Sequence, residues 1–245
     1  MTIGAETRLV ALLGQPVAGS LSPRMQNAAF AARGLDWAYV PVEVGPEALA
    51  DTVRGLAAAG FAGANVTMPH KSAAAKLCDE LDELSQAAGA VNTLVFAERR
   101  IAGFNTDGPA VASAVAAAGA RALVLGRGGA GRVAAAALER AGAEVRLASR
   151  GDAGWPPSAD DATILVNATP VRDELIVEPR PHQQVVDLAY RAGAGATALV
   201  AAARAAGCPT VVDGAEILVR QGAASFELWT SFPAPVEVMR AAVSA

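Results

Sequence analysis

The stretch that most constrains this chain is Arg121-Ala-Leu-Val-Leu, an apolar run of strand type that passes without a break into Gly126-Arg-Gly-Gly-Ala-Gly131. A helical segment, Arg132–Ala141, follows at once. Strand, G-x-G-x-x-G loop and helix in that order make the phosphate-binding turn of a dinucleotide-binding βαβ unit. Gly126 permits the tight turn, Gly128 lets the backbone approach a pyrophosphate, and Gly131 allows helix and strand to pack closely. Gly129 and Ala130 complete the candidate cofactor-binding loop, and the helix N-terminus faces the phosphates.

Short Val/Leu-rich runs alternate with Ala-rich segments from end to end, the pattern of βα units around mostly parallel sheets. The expected fold class is α/β in two lobes, an N-terminal α/β substrate lobe and a Rossmann-type dinucleotide-binding lobe with a cleft between them. The substrate lobe is expected over residues 1–105, completed by C-terminal helices over residues 218–245, and the dinucleotide lobe over 106–217. Strands are expected in the first lobe at Arg8–Val17, Trp37–Val44, Phe61–Met68, Ala90–Ala97 and Arg100–Thr106. The second lobe should hold strands at Arg121–Gly126, Glu144–Ser149, Ala162–Ala168, Val185–Ala189 and Thr210–Asp213. Helices are expected at Pro23–Arg33, Glu47–Ala59, Pro69–Cys78, Arg132–Ala141, Ala196–Ala206 and Ala215–Thr230.

Composition narrows the partners. Twenty Lys and Arg against 24 Asp and Glu give a formal charge of −4, which supplies no basic stripe for nucleic acid. The longest run free of Asp, Glu, Lys and Arg, Gly55–His70, contains Asn65, Pro69 and His70 and is too short and polar to cross a bilayer. The first residues lack the basic and apolar regions of a secretory signal, and Cys78 and Cys208 lack paired spacing. A cytoplasmic protein with reduced thiols is expected, without metal, nucleic-acid or membrane partners, working as a monomer or homodimer on a small-molecule substrate.

Only two lysines occur, Lys71 and Lys76. Lys71 ends Gly60-Phe-Ala-Gly-Ala-Asn-Val-Thr-Met-Pro-His-Lys, where an apolar strand gives way to Asn65 and Thr67, and Pro69 suits the first turn of a helix. A lysine beside the positive end of a helix loses its proton more easily and is fitted for proton transfer. Lys76 has no such context and reads as a solvated helix residue. Further polar clusters lie at Asn92-Thr93 and at Asn105-Thr106-Asp107-Gly108 on the expected lobe boundary. Asp107 either shares a proton network with Lys71 or simply caps the next helix.

The strand after the glycine loop ends in Leu147-Ala-Ser-Arg150, where NAD-binding proteins present a carboxylate to the ribose 2′-hydroxyl. Ser149 and Arg150 can instead donate to a 2′-phosphate, which favours NADP, with NAD as the alternative. Asp152 partly offsets the positive field.

Together, Ser20-Leu-Ser22-Pro23, Asn65-Val-Thr-Met-Pro-His-Lys71, Ala90-Val-Asn92-Thr93, Gly103-Phe-Asn-Thr-Asp107-Gly108, the glycine loop, Val166-Asn-Ala-Thr169-Pro170 and the Gln221–Trp229 helix resemble the shikimate dehydrogenase family. The resemblance implies an NADP-dependent oxidoreductase acting on a CH–OH group, reversibly reducing 3-dehydroshikimate to shikimate on the chorismate route to aromatic amino acids. It implies that Ser20 and Ser22 hold the substrate carboxylate, that Asn65, Thr67, Asn92, Asp107 and Gln221 contact the ring hydroxyls, and that Lys71 and Asp107 form the catalytic pair. Tyr190 stands at the place of a tyrosine near the carboxylate, and Thr169 falls on the cofactor side.

Departures from the family pattern leave alternatives open. Gly19 and Gln26 stand where histidines are common, Ala148-Ser-Arg-Gly replaces Asn-Arg-Thr, Arg172 and Asp173 replace a glycine and a methionine, and Glu216 replaces a glycine. Gly151–Asp161 is too short for the helix and strand usually found there. A paralogue using NAD or both cofactors on quinate, an aminated analogue or another ring hydroxy acid is the second reading. A non-catalytic nucleotide-binding regulatory protein is the third.

Overall fold

A computed structural model describes residues 3–190 and 195–244 and divides the chain into two compact units. The first joins Met1–Thr106 to Val219–Ala245, and the second is Asp107–Leu218.

The first unit runs β1 (Arg8–Gly14), α1 (Ser22–Ala32), β2 (Trp37–Glu43), α2 (Leu49–Ala58), β3 (Gly63–Val66), α3 (Lys71–Ala75), β4 (Glu80–Leu81), α4 (Glu83–Ala88), β5 (Thr93–Ala97) and β6 (Arg100–Phe104). Its sheet has the order β2-β1-β3-β5-β6-β4. The sheet is mixed rather than mostly parallel: β1 pairs in parallel with β2 and β3, but β5 lies antiparallel to both β3 and β6. The cause is local. Only Glu98 and Arg99 separate the paired residues Ala97 and Arg100, and both have positive φ, at 49° and 65°. A two-residue hairpin with that backbone turns the chain straight back, leaving no length for a crossover helix.

The second unit runs α5 (Asp107–Ala112), β7 (Arg121–Leu125), α6 (Gly129–Arg140), β8 (Glu144–Ala148), β9 (Ile164–Asn167), β10 (Gln184–Asp187), α7 (Ala198–Ala205) and β11 (Thr210–Val212). Every pairing is parallel, in the order β11-β10-β9-β7-β8. The central strands β7 and β9 are apolar and buried, as expected when a sheet is covered on both faces. β8 is an edge strand with Glu144 and Arg146 exposed. Residues 149–163, which link it to β9, contain neither helix nor strand. Their Trp155, Ala159 and Ala162 instead pack on a core formed by Leu123, Leu125, Leu165 and Leu199.

Helix α8 (Gly214–Thr230) begins in the second unit and continues into the first, followed by α9 (Val236–Ser244). In the first unit Phe226 stacks on Phe30 of α1 with centroids 5.4 Å apart, and Trp229 Nε1 donates to Leu94 O at 3.0 Å. These buried contacts fix the face of α8 that carries Gln221 and Ser225.

Candidate functional site

In the first unit Asn65, Asn92 and Gln221 come from three distant stretches of chain and are 6%, 3% and 8% exposed. They are joined in one buried network. Tyr39 Oη donates to Asn65 Oδ1 at 2.8 Å, while Asn65 Nδ2 lies 3.0 Å from Asn92 O and 3.1 Å from both Thr93 Oγ1 and Ser225 Oγ. Asn92 Nδ2 donates to Thr106 Oγ1 at 2.9 Å and to Gln221 Oε1 at 3.1 Å, and its Oδ1 accepts the Thr106 N–H at 2.8 Å. Ser225 Oγ is 2.8 Å from Thr93 Oγ1 and donates to Gln221 O at 3.0 Å. Buried amides satisfied in this way are fixed in orientation, which is how short polar groups are preorganised for a polyhydroxylated ligand. Thr93 and Thr106 stood in the polar clusters of the sequence without an assigned role, whereas Tyr39 and Ser225 escaped the sequence reading. Ser225 lies one helical turn beyond Gln221, and that spacing was the signal available.

The remaining first-unit candidates are placed by backbone. Thr67 is half-buried just beyond β3, with its N–H bonded to Leu13 O at 2.8 Å. Lys71, also half-buried, opens α3, and its carbonyl accepts the Val91 N–H at 3.0 Å, tying the lysine segment to the Asn92 segment. The helix starts at Lys71 rather than at Pro69: His70 is its N-cap, its carbonyl accepting the Ala74 N–H at 2.8 Å, and its buried ring places Nε2 2.7 Å from Val44 O. Ser20 and Ser22 stand at the start of α1, where Ser20 Oγ accepts the Ser22 N–H at 3.3 Å. Gln26 is fully buried on the same helix and donates to Gly222 O at 2.9 Å.

In the second unit the glycine loop has the form its sequence calls for. Gly126 adopts a φ of +108°, and its N–H bonds Ala148 O at 2.7 Å. A Cβ on Gly131 would collide with the Gly126 carbonyl. A Cβ on Gly128 would meet nothing of the chain within 4 Å, so the space over that residue is free for a ligand that must lie against backbone. The loop opens the 12-residue helix α6, whose first N–H groups are available to an anion. These features fit a dinucleotide pyrophosphate.

Thr169 is positioned by a chain of buried polar groups. Asn167 Oδ1 accepts from Thr169 N at 3.0 Å and Thr169 Oγ1 at 2.7 Å, and Asn167 Nδ2 donates to Asp187 Oδ1 at 2.9 Å. Asp187 also accepts from Ala189 N and Thr197 Oγ1. Burial pushes its carboxyl up from the ordinary range, and these donors offset part of the rise. Asp107 is half-buried at the start of α5, and Tyr190 is half-buried beyond β10.

At the end of β8, Ser149 is half-buried and Arg150 exposed. Asp152 has taken the donors of this turn. Its carboxylate accepts the Ser149 N–H at 2.9 Å and pairs with Arg127 at 2.7 Å. The Arg127 guanidinium first, and then the Ser149 N–H, hold that carboxyl below its ordinary range. Arg127 was also missed, although an arginine at the first variable position of G-x-G was visible in the sequence.

Two sequence models match this chain: the shikimate dehydrogenase substrate binding domain over residues 12–94 and the shikimate 5′-dehydrogenase C-terminal domain over residues 214–243. The curated shikimate dehydrogenase (NADP(+)) of Anaeromyxobacter dehalogenans is 43% identical, covering 99% of this chain and 98% of its own. The Thermus thermophilus shikimate 5-dehydrogenase solved with NADP(H) and shikimate superposes with a TM-score of 0.84 at 35% identity, covering 96% of this chain and 98% of that one. A ligand-free 5-ketofructose reductase of Gluconobacter sp. superposes at 0.86 with 28% identity, covering 98% of this chain and 99% of that one. The likeness of fold therefore extends to a reductase named for another substrate.

Proposed function

The chain belongs to the shikimate dehydrogenase family, and from that premise we propose that it is an NADP-dependent shikimate dehydrogenase, catalysing the reversible reduction of 3-dehydroshikimate to shikimate. The observation that carries this reading is the joining of Asn65, Asn92 and Gln221 in one buried network. A ring acid with several hydroxyls needs such fixed, short polar groups converging on one place.

The nicotinamide, when bound, exchanges the hydride with the ring carbon. The chain's own groups do the rest. Ser20 and Ser22 offer hydroxyls to the carboxylate, and Asn65, Thr67, Asn92 and Gln221 hold the ring by its hydroxyls. In the reductive direction negative charge grows on the carbonyl oxygen. The Lys71 ammonium opposes that charge and then gives its proton to the oxygen, and it takes the proton back in the oxidative direction. Asp107 is its partner in the catalytic pair, and Tyr190 contributes at the carboxylate. Gly126, Gly128, Gly129, Ala130 and Gly131 cradle the pyrophosphate, Thr169 lies on the nicotinamide side, and Ser149 and Arg150 stand at the adenosine 2′ position. Among the described residues no helix is long and apolar enough to cross a membrane. With Cys78 and Cys208 both free, the chain suits a reducing cytoplasm.

The test is a steady-state panel of shikimate and quinate against NADP and NAD. The highest kcat/KM is expected for shikimate with NADP. Higher kcat/KM with quinate would favour the paralogue reading, and cofactor binding without turnover of either acid would overturn the enzymatic assignment.

A further inference from the structure

Arg127 is the only side chain of the G-x-G turn long enough to leave it, and it reaches the end of β8. Its Nη2 donates to Leu147 O at 3.0 Å and to Asp152 Oδ2 at 2.7 Å, and its Nε lies 3.2 Å from the same oxygen. That oxygen also accepts the Ser149 N–H at 2.9 Å. One anionic oxygen thus gathers a guanidinium and a backbone N–H on the strand that follows a dinucleotide loop, a donor set that also suits a phosphate. Arg127 and Asp152 open onto a cavity of about 360 Å³, lined also by Arg146, Trp155 and Ser158, beside the helix-free link 149–163.

We propose that the Arg127–Asp152 pair sets the choice between a dinucleotide with a 2′-phosphate and one with a free 2′-hydroxyl, Asp152 standing as an internal anion where the phosphate would bind. The inference rests on the reading of the second unit as the site of a nicotinamide dinucleotide. The pair is exchangeable, because Arg127 and Asp152 side chains are 53% and 34% exposed, and exposed ion pairs hold weakly. A 2′-phosphate draws Arg127 and the Ser149 N–H to itself and pushes Asp152 aside by like-charge repulsion. With a 2′-hydroxyl, Asp152 stays and accepts its hydrogen bond, as an acidic residue near this point does in NAD-binding folds. Asp152 therefore acts against the phosphorylated cofactor and Arg127 for it.

Calorimetric titration of the full chain with 2′,5′-ADP and with 5′-AMP isolates the 2′-phosphate from hydride chemistry. Asp152→Asn keeps one acceptor oxygen for the Ser149 N–H and removes the charge, exchanging the second oxygen for an NH2 group. It should bind 2′,5′-ADP about tenfold more tightly and leave 5′-AMP within about twofold, and Arg127→Gln should weaken 2′,5′-ADP about tenfold. An unchanged dissociation constant for 2′,5′-ADP in Asp152→Asn, or equal gains for both nucleotides, overturns the proposal. Thermal melts of both variants verify the fold, and Arg127→Lys replaces Arg127→Gln if the latter unfolds. Wild type that binds neither NADP nor NAD would defeat the dinucleotide reading itself. Wild type that binds NADP while both variants keep its ratio to NAD defeats this inference alone.

Discussion

Tyr39 Oη donates to Asn65 Oδ1 at 2.8 Å, so a ring on β2 holds an amide two strands away, on β3, at the centre of the first sheet. Tyr39→Phe keeps the ring and leaves the buried Asn65 oxygen without its donor. The loss should be about 1–3 kcal/mol in equilibrium urea unfolding. On the proposed reading Asn65 binds the ring without joining the proton transfer, so the KM for shikimate should rise more than kcat falls. Wild-type stability and wild-type KM together would remove Asn65 orientation from the account of binding.

Lys71→Ala should lower kcat by ~10²–10⁴ while substrate affinity stays within a few-fold, the pattern of a group used mainly as charge develops. Lys76 is exposed at the C-cap of the same short helix, and its replacement by alanine should leave turnover intact. Retention of half the wild-type rate by Lys71→Ala in a chemistry-limited assay would refute the proton-transfer role.

Gly128→Ala and Gly131→Ala should part company. The first adds a methyl to open space, so its melting temperature should stay within a degree or two while NADP affinity drops by at least about tenfold. The second drives a methyl into the Gly126 carbonyl and should lower the melting temperature itself. Differential scanning calorimetry with cofactor titration separates the two.

Asp187 gives the pH dependence a definite sign. Burial raises its folded value above the unfolded one, so between the two the native state holds a proton that the unfolded chain releases. Its contribution is complete below the unfolded carboxylate range, about pH 4, and is lost as pH rises through the folded value. The stability difference between wild type and Asp187→Asn should therefore move in favour of the variant from pH 4 towards neutrality. A difference that is flat with pH would show that the carboxyl titrates alike in both states.

Where pattern and packing agreed, the sequence was legible. All ten expected strands are present, with ends trimmed where a residue such as Ser149 leaves the ladder for a side-chain bond. The two-residue β4 was below the reach of periodicity. The short helix α4 was missed although its signals were on the page: Asp82 caps it by accepting the Ser85 N–H at 2.8 Å, and Gly89 ends it in the left-handed region at φ 61°. In the candidate site, residues within motifs were legible, whereas Tyr39 and Ser225 were not, since their roles depend on contacts across 26 and 160 residues of chain. The Arg127–Asp152 pair was hidden for a related reason: Asp152 was legible as a charge near Arg150, but Arg127 alone reads as an ordinary surface charge.

The bare link from β8 to β9 has a consequence for how the second unit breathes. β7 and β9 are locked between neighbours, so their amides should exchange with solvent only through events close to global unfolding. β8 bonds to β7 alone, and no helix follows it to cover its outer side. Its amides should exchange through small excursions that peel the edge and the loop carrying Asp152 as one piece. Saturating NADP should slow that exchange far more than it slows exchange in β9, making the adenosine end of the unit the part whose order is completed by the molecule it receives.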